Sequence, residues 1–249
     1  MLRRIAERLT GRLVLRRHLP QHFGGGPILV SAAGGLKYLR RPLGAVDPML
    51  LRIAERFVRV NGCVWDIGAN VGLFTFAAAA RAGRGGRVVA VEADDSCAAL
   101  LRRTARLGVD RAGVTVISAA VAECCGIREF QIAARARASN ALAGYGHSQM
   151  GGVAEMQTVI AVSLDWLTGF LPLPDVLKID VEGAEAEVLR GADRLFGRGR
   201  PIVLCEVAEG NVAEVTDFFH SRGYELFDAD SCETCKVARA TMNTLCIPR

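Results

Sequence analysis

The stretch Val64-Trp65-Asp66-Ile67-Gly68-Ala69-Asn70-Val71-Gly72-Leu73-Phe74 decides the fold. Val64, Trp65 and Ile67 read as a buried strand that carries the acid Asp66 and then breaks into spaced glycines before a helix. Gly68 and Gly72 let the backbone approach a ligand closely at the strand-to-helix turn. Asp66 falls at the carboxyl end of the strand, where open α/β sheets place their ligands. A second acid strengthens this reading. The strand Arg87-Val88-Val89-Ala90-Val91 ends in Glu92, 20 positions after Gly72, about the spacing at which a dinucleotide-type fold puts the carboxylate that grips ribose hydroxyls.

The glycine pattern is D-x-G-x-N-x-G. It lacks the G-x-G-x-x-G that seats a pyrophosphate against a helix N-terminus, so a cofactor without phosphates is expected. S-adenosylmethionine meets the requirement, with a ribose for Glu92 and an ammonium that a carboxylate such as Asp66 helps to hold. The alternative is an NAD(P)-binding Rossmann oxidoreductase, against which the missing glycine pattern counts.

Working outward, Asp47-Pro48 reads as an N-cap with Pro at the first helical position, opening a helix to about Val60. Strand 63–67, helix 72–82, strand 87–92, helix 95–107 and strand 114–118 follow. This alternation implies a doubly wound α/β fold, a parallel sheet with helices on both faces. The rhythm breaks at Gly126 to Ile132 and Met156 to Leu164, β-rich segments flanking Ala133 to Gly152, which is expected to form a long loop or lid. It resumes with the strand Asp175 to Asp180, a helix from about Ala184 to Gly191, the strand Pro201 to Val207 and a helix from Asn211 to Arg222. Two short strands, Tyr224 to Phe227 and Asn243 to Ile247, close the chain. Residues 47–249 therefore form one domain, and residues 1–46 an N-terminal extension.

In that extension Leu2, Ile5, Leu9 and Leu13 recur at near-helical spacing, with Arg4, Arg8, Arg12 and Arg16 on another face. Met1 to Leu19 is expected to be a basic amphipathic helix. Packing on the domain is its plainer role, and peripheral contact with an anionic membrane or an acidic glycolipid its second. Hydrophobic residues make up 51% of the 249, yet no apolar run approaches the roughly 18–20 residues of a membrane span. The net charge of +5 rests on arginine, the only lysines being Lys37, Lys178 and Lys236. No basic patch interleaved with aromatics marks a nucleic-acid partner. Of the eight cysteines, only Cys232 and Cys235 have ligand spacing, without a second such pair. A reduced, cytoplasmic protein is expected.

A second constellation lies in Lys178-Ile179-Asp180-Val181-Glu182-Gly183-Ala184-Glu185. Lys178 and Asp180 share one side of a strand, and Glu182, Glu185 and the strand-end Glu206 crowd the same rim. A base for a hydroxyl proton would come from Asp180 first, Glu182 second, or the loop residue His147 third. Asp180, Glu182 and Glu206 would also suit a Mg²⁺-like divalent cation, although Lys178 already balances carboxylate charge there. No residue is assigned as a metal ligand on this basis.

Taken together, V-W-D-I-G-A-N-V-G-L-F, V-V-A-V-E-A-D, L-D-W-L, V-L-K-I-D-V-E-G-A-E-A-E-V-L-R-G-A, R-P-I-V-L-C-E-V and N-T-L-C-I-P resemble the FkbM family of S-adenosylmethionine-dependent methyltransferases. The resemblance spans about residues 47–248. It implies a seven-stranded, Rossmann-like class I methyltransferase sheet, mostly parallel with an antiparallel last strand. It also implies O-methylation of a hydroxyl on a sugar, glycolipid, polysaccharide or polyketide-type product. By motif, Asp66, Gly68, Asn70, Gly72, Glu92 and its neighbour Ala93 become cofactor residues. Asp180 and Glu182 line the transfer site, and the adenine falls near Ser118, Ala119 and Ala120. Methylation of nucleic-acid amino groups is disfavoured, because D-V-E-G stands where such enzymes carry a tetrapeptide like D-P-P-Y. The acids argue against a non-catalytic binding module. Tyr145 and Trp166 could each stack on a sugar ring, but Trp166 reads as core.

Overall fold

In the computed structural model, which describes residues 13–133, 140–145, 152–231 and 235–249, a hairpin of β1 (Leu15–His18) and β2 (Pro27–Val30) comes first. Then α1 (Pro48–Phe57) opens on Asp47, whose side chain accepts the Leu50 amide proton, with Pro48 in the first turn. Strand β3 (Cys63–Ile67), helix α2 (Leu73–Ala82), strand β4 (Arg87–Glu92), helix α3 (Asp95–Ala105) and strand β5 (Gly113–Ser118) alternate as expected. After β6 (Ala120–Val121), β7 (Gly126–Ala133), β8 (Ala141–Leu142) and β9 (Val153–Val162), the alternation resumes. It runs through β10 (Val176–Ile179), α4 (Glu185–Arg190), α5 (Asp193–Arg198), β11 (Ile202–Glu206), α6 (Val212–Ser221), β12 (Tyr224–Asp228), β13 (Lys236–Val237) and β14 (Asn243–Pro248). Single-turn helices are left unlabelled.

The main sheet has the order β5-β4-β3-β10-β11-β14-β12-β13. The first five strands are parallel, and β14 lies antiparallel to both β11 and β12. This is the expected mostly parallel sheet with an antiparallel closing strand, extended at one edge by the two-residue β13. The order changes direction between β3 and β10, so their carboxyl ends form the crevice in which doubly wound sheets bind ligands. Strand alternation sorts the core onto two faces. Val64, Val88, Ala90, Val176 and Leu204 pack beneath α1, α2 and the β1–β2 hairpin. Trp65, Ile67, Val89, Leu177, Val203 and Cys205 face α4, α5 and α6, where Phe196, Phe218, Phe219 and Tyr224 meet edge to face. Because the period is two, Asp66 joins the first face and lies directly opposite Lys178 in the β3–β10 register.

Several expectations are corrected. Leu15–His18 is a strand and not the end of a helix, since its residues alternate between half-buried and exposed and pair with β2. Pro20 and the left-handed Gly24 and Gly25 turn the chain back toward β2. Residues 1–12, on which the rest of the amphipathic-helix expectation falls, lie outside the described residues. Helix α1 stops at Phe57, three residues before Val60, where the extended Val58 ends it. The segment from Ala133 to Gly152 is not loop throughout: Ala141–Leu142 pairs with β7, placing β7, β8, β9 and β6 in a separate four-stranded sheet. Leu164 belongs to a single-turn helix capped by Ser163 and not to β9. Helix α5 was not expected, because its six residues are too few to show a period. Trp166 is 47% exposed and stacks on the exposed Phe170, so it is no core residue. No described cysteines are joined by a disulfide. No described helix is long and apolar enough to cross a membrane.

Candidate active site

The carboxyl ends of β3, β4 and β10 open into a cleft. Gly68, Asn70, Glu92, Ala93, Ala119, Ala120, Asp180 and Glu182 line it, as the sequence led one to expect, together with Val91, Asp94, Cys97, Phe130, Asn140, Leu142 and Val181. The lining joins apolar side chains to the carboxyl groups of Glu92, Asp94, Asp180 and Glu182.

Gly68 (φ +74°) has a backbone that side chains rarely adopt, and a Cβ there would lie 1.8 Å from the Asp180 carbonyl oxygen. Only glycine lets β3 and β10 close at this point. Asn70 follows in the left-handed region at φ 51°. Its amide donates to Glu92 Oε2 at 2.6 Å, and the Asp94 amide donates to Glu92 Oε1 at 2.8 Å. Each oxygen keeps a further lone pair for a ribose hydroxyl. Burial pushes the Glu92 carboxyl up to about 7, against the pull of its two amide donors. Asp94 caps α3 through the Ser96 and Cys97 amides, and its other oxygen accepts from Asn140 Nδ2 at 2.8 Å. Asn140 in turn accepts from the Ala133 amide, tying the small sheet to the cofactor strand.

Asp66 is fully buried and does not face the cleft. Its carboxylate accepts from Thr75 Oγ1 at 2.5 Å and pairs with Lys178 Nζ at 3.2 Å. Lys178 also donates to the Gly68 carbonyl at 3.0 Å and pairs with Asp180 at 3.2 Å. Burial opposes the ammonium, but Asp180 and Asp66 outweigh it and hold its pKa well above the ordinary lysine value. Gly72, at φ +91°, packs against Leu101 and Phe76; it shapes the entry to α2 and not the cleft wall. The Ser118 hydroxyl accepts from Arg102, and Ser118 is not among the lining residues, whereas Ala119 and Ala120 are. His147 lies outside the described residues.

On the far side of Asp180 a smaller hollow is lined by Asp47, Met49, Leu50, Lys178, Glu206 and Asn243, among others. Carboxylate oxygens of Asp180, Glu182 and Glu206 fall within 4.8 Å of one another. Burial first, then the neighbouring negative charges of Asp180 and Glu206, push the Glu182 carboxyl up to about 8. Burial and Asp180 push Glu206 up to about 7. Glu182 and Glu206 are therefore harder to deprotonate than free carboxyl groups. Glu182 also has a left-handed backbone, φ 54°, followed by Gly183 at φ 105°. The buried Glu185 holds this turn by accepting from the Gly183 and Ala208 amides and from Asn211 Nδ2.

Asp94, Asn140, Phe130 and Leu142 escape the sequence reading. For Asp94 a signal exists, since an Asp before an apolar helix is an N-cap and this one follows Glu92 by two residues. The other three reach the cleft through the pairing of β7 with β8, which no local pattern announces.

A parallel sheet whose order reverses above a glycine turn, with an acid ending the neighbouring strand, is the α/β architecture of the class I methyltransferase-like fold. The family model described as the methyltransferase FkbM domain matches residues 66–226, and the chain belongs to that family. No curated protein matches it. Among solved structures it is similar to the methyltransferase FkbM from Methylobacillus flagellatus KT, at 14% identity and a TM-score of 0.50. That alignment covers 86% of this chain and 57% of the other, so the chain spans little more than half of that relative. A second is the S-adenosylmethionine-dependent O-methyltransferase from Thermotoga maritima, at 14% identity and a TM-score of 0.46, over 90% and 73% of the two chains. A third is Aeropyrum pernix fibrillarin with natively bound S-adenosyl-L-methionine, at 16% identity and a TM-score of 0.44, over 77% and 68%.

Proposed function

We propose that this chain transfers a methyl group from S-adenosylmethionine to a hydroxyl of a sugar, glycolipid, polysaccharide or polyketide-type acceptor. The observation that carries the reading is the carboxylate group Asp180, Glu182 and Glu206: Asp180 and Glu182 line the cleft, and burial with the neighbouring negative charges pushes the Glu182 carboxyl up to about 8. A general base works best when its pKa lies near the operating pH. S-adenosylmethionine supplies an electrophilic methyl group when bound. Glu92 would accept hydrogen bonds from the ribose hydroxyls, Ala119, Ala120 and Val121 would hold the adenine, and Asp180 with Glu182 would offset the sulfonium charge.

Glu182 is a better proton acceptor than Asp180, which spends an oxygen on Lys178. The acceptor hydroxyl gives its proton to Glu182 as its oxygen forms the new bond to carbon, and the pair of electrons of the broken bond leaves with the sulfur. Alignment in a water-poor cleft provides most of the acceleration, since well-oriented partners reach effective molarities of ~10⁵ M or more. A divalent cation is not required by this scheme, because Lys178 and a shared proton balance the acids. The test is methyl transfer from radiolabelled S-adenosylmethionine to panels of oligosaccharides, glycolipids and macrolides, with product mass spectrometry. Label on oxygen, retained after exhaustive chelation, is expected. Label on nitrogen or carbon overturns the O-methyl reading, and loss of transfer on chelation restores the cation.

A further inference from the structure

The cofactor cleft is braced by residues that lie outside the span matched by the family model. Gly34 ends a single turn, residues 32–34, that follows β2. Its amide donates to the Ser31 carbonyl, and its own carbonyl accepts from Asn70 Nδ2 at 3.3 Å. The turn is anchored from two sides. The Leu29 amide donates to the buried Thr104 hydroxyl of α3 at 3.0 Å, and the Arg17 guanidinium donates to the Leu39 carbonyl. There is no room to spare at the contact, for a Cβ on Gly34 would lie 2.3 Å from Val71 Cγ1 and 2.7 Å from Asn70 Oδ1. The other end of the Asn70 side chain accepts the Cys97 thiol at 3.6 Å. Asn70 is thus gripped between the N-terminal segment and α3 while its left-handed backbone aims its amide at Glu92.

We infer that the N-terminal segment completes the cofactor site and that Gly34 is a positioning residue within it, acting through the Asn70 side chain on the amide that clamps Glu92. This rests on the cofactor reading, in which Glu92 grips the ribose. The geometry explains why the residue is glycine although its backbone needs no left-handed freedom: the constraint is the space between it and Asn70. A chain beginning at Asp66 would carry the motif but not its brace.

The test is a double-mutant cycle read by calorimetric titration of the full chain with S-adenosylmethionine, alongside melting curves. Gly34→Ala is expected to weaken binding about tenfold. In a Glu92→Gln background the same substitution is expected to change affinity less than twofold, because the group it positions has lost its charge; independent effects would multiply. Gly26→Ala, whose Cβ would meet only Val109 Cγ1 at an ordinary 3.4 Å, serves as the control in the same segment. Should Gly34→Ala not fold, Asn70→Gly keeps the left-handed backbone, removes the bond to Gly34 and is expected to show the same dependence on Glu92. Unchanged affinity in Gly34→Ala, or an equal loss in both backgrounds, overturns the inference and leaves the cofactor reading standing. A wild-type chain that binds no S-adenosylmethionine overturns both.

Discussion

Replacing Glu182 by Gln should make the ligand-free protein more stable while removing its activity. The carboxyl group rises from an ordinary 4.5 to about 8 in the folded chain, so folding binds a proton there that the unfolded chain releases. Such a group contributes stability fully below pH 4.5, and that contribution is lost as pH climbs through about 8. At about 1.4 kcal/mol for each pH unit of displacement, the ceiling is ~5 kcal/mol. Partial exposure and the coupling to Glu206 reduce it to roughly 1–2 kcal/mol. Glutamine keeps the shape without the ionisation. For a chain of this length 1 kcal/mol moves Tm by about 2–4 °C, which gives roughly 2–8 °C of stabilisation at pH 8.5 and almost none at pH 4.5. Scanning calorimetry of both proteins at the two pH values measures it, with methyl transfer expected to fall ~10²–10⁴-fold. An equal Tm change at both pH values, or a lower Tm at pH 8.5, refutes the reasoning.

Glu92→Gln exchanges charge-assisted ribose contacts for neutral ones and should weaken S-adenosylmethionine by about 10- to 100-fold in calorimetric titration, in keeping with ~1.5–3 kcal/mol for bonds to charged groups. Gly68→Ala places its methyl carbon 1.8 Å from the Asp180 carbonyl oxygen, so a loss of more than ~3 kcal/mol, or no soluble protein, is expected in denaturant titration; a Tm within 2 °C of wild type would contradict the close strand approach. Lys178→Met leaves Asp66 and Asp180 without their cation, and breaking such a buried pair costs about 3–5 kcal/mol; an unchanged urea midpoint would show that the ammonium does not hold the two acids.

The cofactor half of the site is legible in the sequence because each of its parts is local. Asp66, Gly68 and Gly72 lie in one strand-turn-helix unit, and Glu92 ends the next strand, so position along the chain nearly determines position in space. The acids after β10 are legible for the same reason. What the sequence conceals is what chain distance separates. Asn140 meets Asp94 at 2.8 Å across 46 residues, and Asn70 meets Gly34 across 36. Arg16 fits a helical period as well as a strand period when so few residues are counted, and only the partner strand β2 decides between them. Trp166 fails in a similar way: aromatic character predicts burial, but its single-turn helix turns it outward beside Phe170.

The division of labour between the two sheets bears on how such a protein changes over generations. Lys178 lies opposite Asp66 only because β10 keeps its register against β3; a slip of one residue would put Leu177 or Ile179 there instead. Strands of the main sheet therefore admit substitution but not lengthening. The small sheet is joined to them where β6, paired with β9, follows β5 after a single residue, and by Asn140, and its outer face carries exposed Ile127, Met156 and Ile160. Substitution on that outer face leaves Phe130, Asn140 and Leu142 at the cleft and Asp180, Glu182 and Glu206 in place, so the face can vary while the carboxylates are kept.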